Sequence, residues 1–394
     1  MIRIKGLPGR VYEFLYPFKA HFGCAQGKHF LLFCWLMVML SVDGSKGTLK
    51  GLSRMMPERI RYWALMRMVR SGQWSAQELL DDMAGQVVRW LPPPRDGVLY
   101  LIGDPTLKGK RGHKHPLGRK AKMNDYAGYT FGFEMVVLIA SWGSYRLPVA
   151  LEAVDPKRRG HANILFRQML RRFVPPPWAR HVIVVADAGM AANKTFKLLQ
   201  HKKYAFVFAV SSTRKFTDGK HLRDLVRHLP KGYYGRVASY KPDGRRKDYW
   251  VYSRRATLNG VGDVTIVLSK RRRNEGPKKV KLIVTNLEGA KVAEILSIYA
   301  RRWGVEVTIK ELKGAVHLGQ MQVTKDPDRV RRSVALSVAA YLLLVRLYGR
   351  EKSVQERFSL FELKHRFTVE VFQEQLNRSE QRWSKKLEKY RAAA

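Results

Sequence analysis

Three acids stand where they could do chemistry. Asp104 follows the apolar run "VLYLIG", Asp187 follows "VIVVA", and Glu306 lies in "YARRWGVEVTIKELK" among Arg301, Arg302, Lys310 and Lys313. An apolar run that ends on an acid reads as a buried strand delivering that acid to the end of a sheet, where open α/β sheets gather functional groups. The same aspartates also read as helix N-caps or turn formers. Asp155, after "LEAV", shares the pattern, and spacing alone does not exclude it. Carboxylates are hard oxygen donors, which suit Mg²⁺ and leave coordination positions for phosphate. Two such ions activate a water or a 3′-hydroxyl and stabilise the leaving oxygen in phosphodiester displacement.

Glu306 carries its own puzzle, an acid seated among bases. Placed on one helix with Tyr299 as zero, Arg302, Glu306 and Lys313 fall at about 300°, 340° and 320°. Ile298, Val305, Ile309 and Leu312 form the adjoining apolar face, between about 220° and 280°. Glu306 is therefore expected at the rim of the core. A ladder of surface ion pairs is the plainer reading, and such pairs contribute little. A metal ion that needs an acid there is the sharper one.

The elements that must position these residues follow from period and punctuation. Residues 1–93 have helical spacing, broken at Pro57 and Gly72, and "LPPP" at 91–94 ends it. From residue 97 the period changes to short apolar runs. "GVLYLIGD" reads as a strand ending at Asp104, followed by strands over 131–142 and 144–155. A helix over 161–173, the strand "HVIVVAD", a helix and the strand "YAFVFAV" come next. The order β-β-β-α-β-α-β implies a mixed sheet flanked by helices. Residues 211–288 hold four short strands joined by basic turns, a β-meander inserted before the Glu306 helix. Ser333–Val345 reads as a buried core helix, and 351–394 as a charged helical tail.

Composition narrows the partner. The 394 residues hold 74 Lys and Arg against 32 Asp and Glu, a net charge of +42. That much self-repulsion penalises the compact state until a polyanion neutralises it. Nucleic acid is the first expectation and an acidic membrane surface the second. The longest apolar run, Phe30–Leu40, has 11 residues, short of the roughly 20 that span a bilayer. Two cysteines support neither a disulfide framework nor a cysteine zinc site. The N-terminus shows no targeting signal, so a reducing cytoplasm is expected.

Tyr299, Arg302, Glu306 and Lys313 fit Y-x2-R-x3-E-x6-K at every spacing. This resembles the signature of a group of bacterial insertion-sequence transposases of the DDE type. "GDPT" at 103–106, followed by "KGKRGHKH", and "VVADAGM" at 184–190 resemble the segments around that family's first and second aspartates, and "VTNL" at 284–287 is also similar. The resemblance covers residues 97 to about 350.

It implies an α/β fold with an RNase H-like mixed sheet, flanking helices, a β-strand insertion, and helical N- and C-terminal regions. The expected divisions are a DNA-binding region over 1–93, core over 94–210, insertion over 211–288, core again over 289–350 and a tail over 351–394. Asp104, Asp187 and Glu306 become the catalytic metal ligands, for two Mg²⁺ that Mn²⁺ can replace, and Asp155 is set aside. Tyr299, Arg302 and Lys313 are implied to act on the DNA strand near the cut. Lys310, Lys108, Lys110, Arg111 and His113 are further candidate DNA contacts. Trp250 in "DYWVY" is a candidate platform for a flipped base, although an aromatic in a strand is more often core. The implied activity is cleavage of element ends and joining of the 3′-ends to target DNA. The implied partners are double-stranded DNA and, in the active complex, a second copy, with no membrane and no small-molecule substrate. The implied setting is the bacterial nucleoid. A helix-turn-helix around 48–90 is expected to bind terminal repeats. A nuclease on the same fold, or a catalytically dead DNA-binding derivative, are the rivals.

Overall fold

The computed structural model describes residues 6–57, 60–110, 115–122, 129–240, 244–321, 326–351 and 358–393. The chain opens with helices α1 (Gly9–Leu15), α2 (Gln26–Ser41), α3 (Leu49–Ser53), α4 (Tyr62–Ser71) and α5 (Ala76–Trp90). Strands β1 (Val98–Gly109), β2 (Gly118–Lys122), β3 (Tyr129–Trp142) and β4 (Tyr145–Ala153) follow, then α6 (His161–Arg172), β5 (His181–Ala186), α7 (Asn193–His201) and β6 (Ala205–Ala209). Next come α8 (Leu222–His228), β7 (Gly235–Tyr240), β8 (Arg246–Leu258), β9 (Gly262–Lys270) and β10 (Lys281–Thr285). The chain closes with α9 (Val292–Ala300), α10 (Trp303–Gly314), α11 (Pro327–Tyr348) and α12 (Leu360–Ala393).

Two compact units result, Pro93–Ile309 and Met1–Pro92 with Lys310–Ala394. In the first, β3 lies between β1 and β4, antiparallel to both, and β5 and β6 extend the sheet parallel to β1. The resulting spatial order β4-β3-β1-β5-β6, three antiparallel strands followed by two parallel ones, is that of an RNase H-like core. The inserted strands do not form a sheet of their own. β10 pairs antiparallel with β6, and β9, β8 and β7 continue outward, so a single sheet of ten strands runs through the unit. The short β2 and α8 carry too few periodic residues to be read from sequence.

The interior strands are apolar on both faces because both are covered. α6 and α7 pack together on one face, and α9 packs on β5, β6 and β7. Gly103 shows how tightly α6 is seated: a Cβ built there would lie 2.1 Å from Phe166 Cε2. The sheet can meet the helix this closely only where a residue has no side chain.

The second unit is helical. α2 is apolar all round and its residues Leu32–Leu40 are buried, as expected of a helix enclosed on every side. α11 is likewise buried from Ser333 to Val345, packed on α5 and α2. Its start is set by Asp326, whose side chain accepts from the Asp328 amide, with Pro327 in the first turn. Ser75 caps α5 in the same way, accepting from the Glu78 amide. Among the described residues no helix is long and apolar enough to cross a membrane.

Candidate active site

Asp104 is not at the end of its strand, as its position after an apolar run predicts. β1 continues to Gly109, paired with β3 throughout, and Asp104 itself faces Val137. What ends at Asp104 is the other ladder. The last parallel pair between β1 and β5 is Gly103 with Ala186, so Asp104 and Asp187 are the next residues on two adjacent strands. Side chains alternate along a strand. Gly103 faces α6, so Asp104 faces the opposite side, where α9 and α10 lie.

The segment carrying Glu306 is also not one helix. α9 ends at Ala300 and α10 begins at Trp303. Between them the amides of Arg301, Arg302, Gly304 and Val305 bond to the carbonyls of Ile298, Tyr299, Arg301 and Arg302, each three residues back. This is a 3₁₀-type tightening, in which side chains at i and i+3 eclipse. A constant 100° step from Tyr299 therefore does not hold across Arg301 and Arg302. Tyr299 and Arg302 come onto one line and reach the two aspartates. Val305 and Leu312 are buried as their phase predicts, whereas Ile309 is only half-buried.

Arg302 is the hub of the site. Its Nη1 donates to Asp104 Oδ2 at 2.8 Å and its Nη2 to Glu306 Oε1 at 3.0 Å. The guanidinium thus lies between the two carboxylates and ties α10 to β1. Asp187 is held differently. Its Oδ1 accepts from the Ala188 amide at 2.8 Å, capping a short turn, and from Lys281 Nζ at 3.2 Å. The Tyr299 hydroxyl lies 3.5 Å from the same oxygen. The Lys281 ammonium also sits over the Tyr299 ring, 5.4 Å from its centroid. The side chains of Asp187 and Glu306 are 40% and 41% exposed, against 15% for Asp104, so the site opens at the first two and Asp104 forms its floor.

Burial pushes the Asp104 carboxyl up. Arg302 counters part of that rise, while the charges of Asp187 and Glu306 add to it, and the result is about 6. Burial also acts upward on Asp187, but the Ala188 amide and Lys281 together hold it below the ordinary range. Asp104 is therefore close enough to both other acids to feel their charge. Among the described residues no three His, Cys, Asp or Glu side chains lie close enough together to hold one metal ion. The donor set fits a hard divalent cation in type, since all three members are carboxylates with water access. In this arrangement the positions between them are taken by the cationic groups of Arg302 and Lys281.

The remaining candidates scatter. Asp155 forms a turn, its Oδ1 accepting from the Lys157 amide, and its own amide bonds to His161. Lys108 and Lys110 share the Asp104 face of β1, the first about 13 Å along it. Burial, and then Lys108, lowers the Lys110 ammonium to about 8. Lys310 is exposed and Lys313 half-buried, both in the last turns of α10 and both in the helical unit. Arg111 and His113 lie outside the described residues. Trp250 is half-buried on β8, with the Arg273 guanidinium 5.2 Å from its ring centroid.

Two residues near the acids escape a reading of the sequence. Lys281 opens β10 in "GPKKVKLIVT", where nothing distinguishes it from Lys278 and Lys279. Tyr249, and not its neighbour Trp250, lines a cleft of about 540 Å³ with Lys270, Arg271, Lys281 and Tyr299.

Residues 108–343 match the family described as the transposase DDE domain, a match that spans more than half of the chain and begins four residues after Asp104. No curated protein matches the chain. Among solved structures, the cryo-EM structure of the piggyBac transposase synaptic complex with hairpin DNA is similar at 12% identity and a TM-score of 0.46, covering 95% of this chain and 76% of that one. The strand order above, and not this distant likeness, carries the fold, and the family match carries the identification. The chain belongs to the transposase DDE domain family.

Proposed function

We propose that the protein is an insertion-sequence transposase that binds the ends of its element as double-stranded DNA, cleaves them and joins the 3′-ends to target DNA by divalent-metal-dependent in-line phosphoryl transfer. One observation supports this above the others: Asp104 and Asp187 are neighbours beyond the last β1–β5 pair, and Glu306 is joined to Asp104 through Arg302. A chain of net charge +42 thus has three acids near the end of the β1–β5 ladder, and the innermost is raised to about 6. Cations that a polyanion-binding protein must accommodate belong there.

Asp104, Asp187 and Glu306 would hold two Mg²⁺, for which Mn²⁺ can substitute. Bound there, the ions supply activation of the attacking hydroxyl and stabilisation of the leaving oxygen. The rest falls to the chain's own groups. Arg302 presents a planar fork that matches a phosphate as well as a carboxylate. Lys313 and Lys310 lie further along α10 and grip the backbone as point charges. The Ala188 amide and Lys281 keep Asp187 ionised, and Lys281 and Tyr299 orient it. Pairing two element ends calls for two copies of the chain in the active complex.

The test uses the purified protein, Mg²⁺ and the DNA flanking its gene on both sides, where inverted repeats are expected. The wild-type protein should nick at the repeats and yield joined products. Asp104→Asn, Asp187→Asn and Glu306→Gln should each abolish nicking while retaining end binding in a gel-shift assay. Cleavage retained by any one variant removes that residue from the site. Nicking without joined products would reduce the activity to that of a nuclease.

A further inference from the structure

The tightened turn at Arg301 and Arg302 has poorer hydrogen-bond geometry than the helices on either side of it. No proline imposes it, so its shape comes from what it packs against. Tyr100 of β1, Ser141 of β3 and Arg146 of β4 pair directly across three adjacent antiparallel strands. Directly opposed residues point to the same face. Tyr100 shares the Asp104 face, because the two are four residues apart on one strand. The row therefore lies under the break. The Arg301 guanidinium sits over the Tyr100 ring, its Cζ 4.1 Å from the centroid. A Cβ built on Gly304 would lie 3.0 Å from Arg146 Cδ, so the first turn of α10 rests close on Arg146. Arg301, Tyr100 and Arg146 are all half-buried.

Two consecutive arginines thus hold β1 at two places. Arg302 takes Asp104, and Arg301 takes Tyr100, about 13 Å back along the strand. One contact alone leaves the break free to turn about it, and two fix its direction. We infer that Tyr100 is a positioning residue for Glu306: by holding Arg301 it sets the turn from which Arg302 and Glu306 reach Asp104. The inference rests on reading the three acids as a metal-dependent site. On that reading cations take the carboxylates that Arg302 spans, and Arg302 gives up part of its hold. The contact between Tyr100 and Arg301 uses no acid, so it holds the break through that change. A ring face attracts a guanidinium without competing for a carboxylate. The spacing Y-x2-R-x3-E-x6-K leaves position 301 open, so the role of Arg301 is not part of that signature.

The test compares Tyr100→Phe, which keeps the ring, with Tyr100→Leu, and Arg301→Lys, which keeps the cation, with Arg301→Met. All are measured in the full chain, well below its melting temperature. The first readout is hydrogen exchange over residues 299–306, in EDTA and without DNA. Tyr100→Leu and Arg301→Met should speed exchange there about tenfold, with exchange in β5 unchanged. Tyr100→Phe and Arg301→Lys should stay near the wild type. The second readout is single-turnover end cleavage with Mg²⁺. Tyr100→Leu and Arg301→Met should cut bound ends about tenfold more slowly, because small misplacements of catalytic groups are costly. Their end-binding affinity should not change, and Tyr100→Phe and Arg301→Lys should restore most of the rate. Unchanged exchange over 299–306 overturns the inference, whether or not the protein cleaves DNA. Equal losses in Tyr100→Phe and Tyr100→Leu overturn it as well. An Arg301→Met protein that binds ends weakly but cuts bound ends at the wild-type rate overturns it and gives Arg301 to the phosphate backbone. A wild type that does not cleave, with the exchange pattern as expected, overturns the function proposed above and upholds the positioning contact.

Discussion

Asp104 and Asp187 sit side by side, one residue past the Gly103–Ala186 pair that closes the parallel ladder between β1 and β5. The relationship depends on register. A slip of one residue would turn Asp104 to the α6 face and separate the two carboxylates. Glu306 joins them from α10 only because Arg302 bridges it to Asp104.

Arg302 therefore acts as the shared counter-ion of Asp104 and Glu306. Arg302→Ala leaves Asp104 and Glu306 facing each other without a cation, and because the pairs are only part-buried the loss stays below the roughly 3 kcal/mol of a fully buried one. In EDTA the variant should melt well below the wild type. Added Mn²⁺ should raise its melting temperature more than that of the wild type, because the ion replaces a guanidinium that is no longer there. Equal shifts in the two proteins would count against a metal site between these acids.

Lys281 and Lys313 should separate cleanly. Lys281 is already committed to Asp187, so Lys281→Ala should slow end cleavage while leaving the salt dependence of DNA binding unchanged. Lys313→Ala should lower the slope of log K against log salt by about one unit. A binding titration across salt concentrations reads both, and exchanged results would exchange the two roles.

Gly103→Ala probes the floor of the site from behind. The added methyl meets Phe166 at 2.1 Å, so α6 or β1 must shift, at about 1–3 kcal/mol. The melting temperature should fall, and cleavage should fall further than stability alone explains, because Asp104 is the next residue on β1.

His317, in the helical unit, should make stability depend on pH. Burial and then the neighbouring Lys364 ammonium push its imidazole down to about 4. Lys364 Nζ lies 3.5 Å and Ser45 Oγ 2.8 Å from its Nε2. Below the ordinary pKa of histidine the unfolded chain takes a proton that the folded chain refuses. Stability is therefore lost as pH falls from about 6.5 towards 4, by about 2 kcal/mol at pH 5. His317→Asn, which tolerates the positive φ of 60° at this position, should flatten the fall in melting temperature between about pH 7 and pH 5. An unchanged slope would place the titrating group elsewhere.

Local chemistry in the sequence determined much of this protein. Apolar runs bounded by glycine and proline mark β1, β3 to β6 and the strands of the insertion, and the all-round apolar α2 and α11 could only be core. The net charge points to a polyanion, and the spacing from Tyr299 to Lys313 resembles a family signature that includes Glu306. What the sequence could not determine is non-local. The continuation of β1 past Asp104 depends on β3 as its partner. The join of β10 to β6, which makes the insertion part of one sheet, depends on pairing between segments more than seventy residues apart. The break at Arg301 and Arg302 contains neither proline nor glycine to announce it. Arg302 could pair with either acid on charge alone, and only the fold brings both to its two nitrogens. Lys281 looks like any lysine in a basic turn until β10 docks and sets it on Asp187.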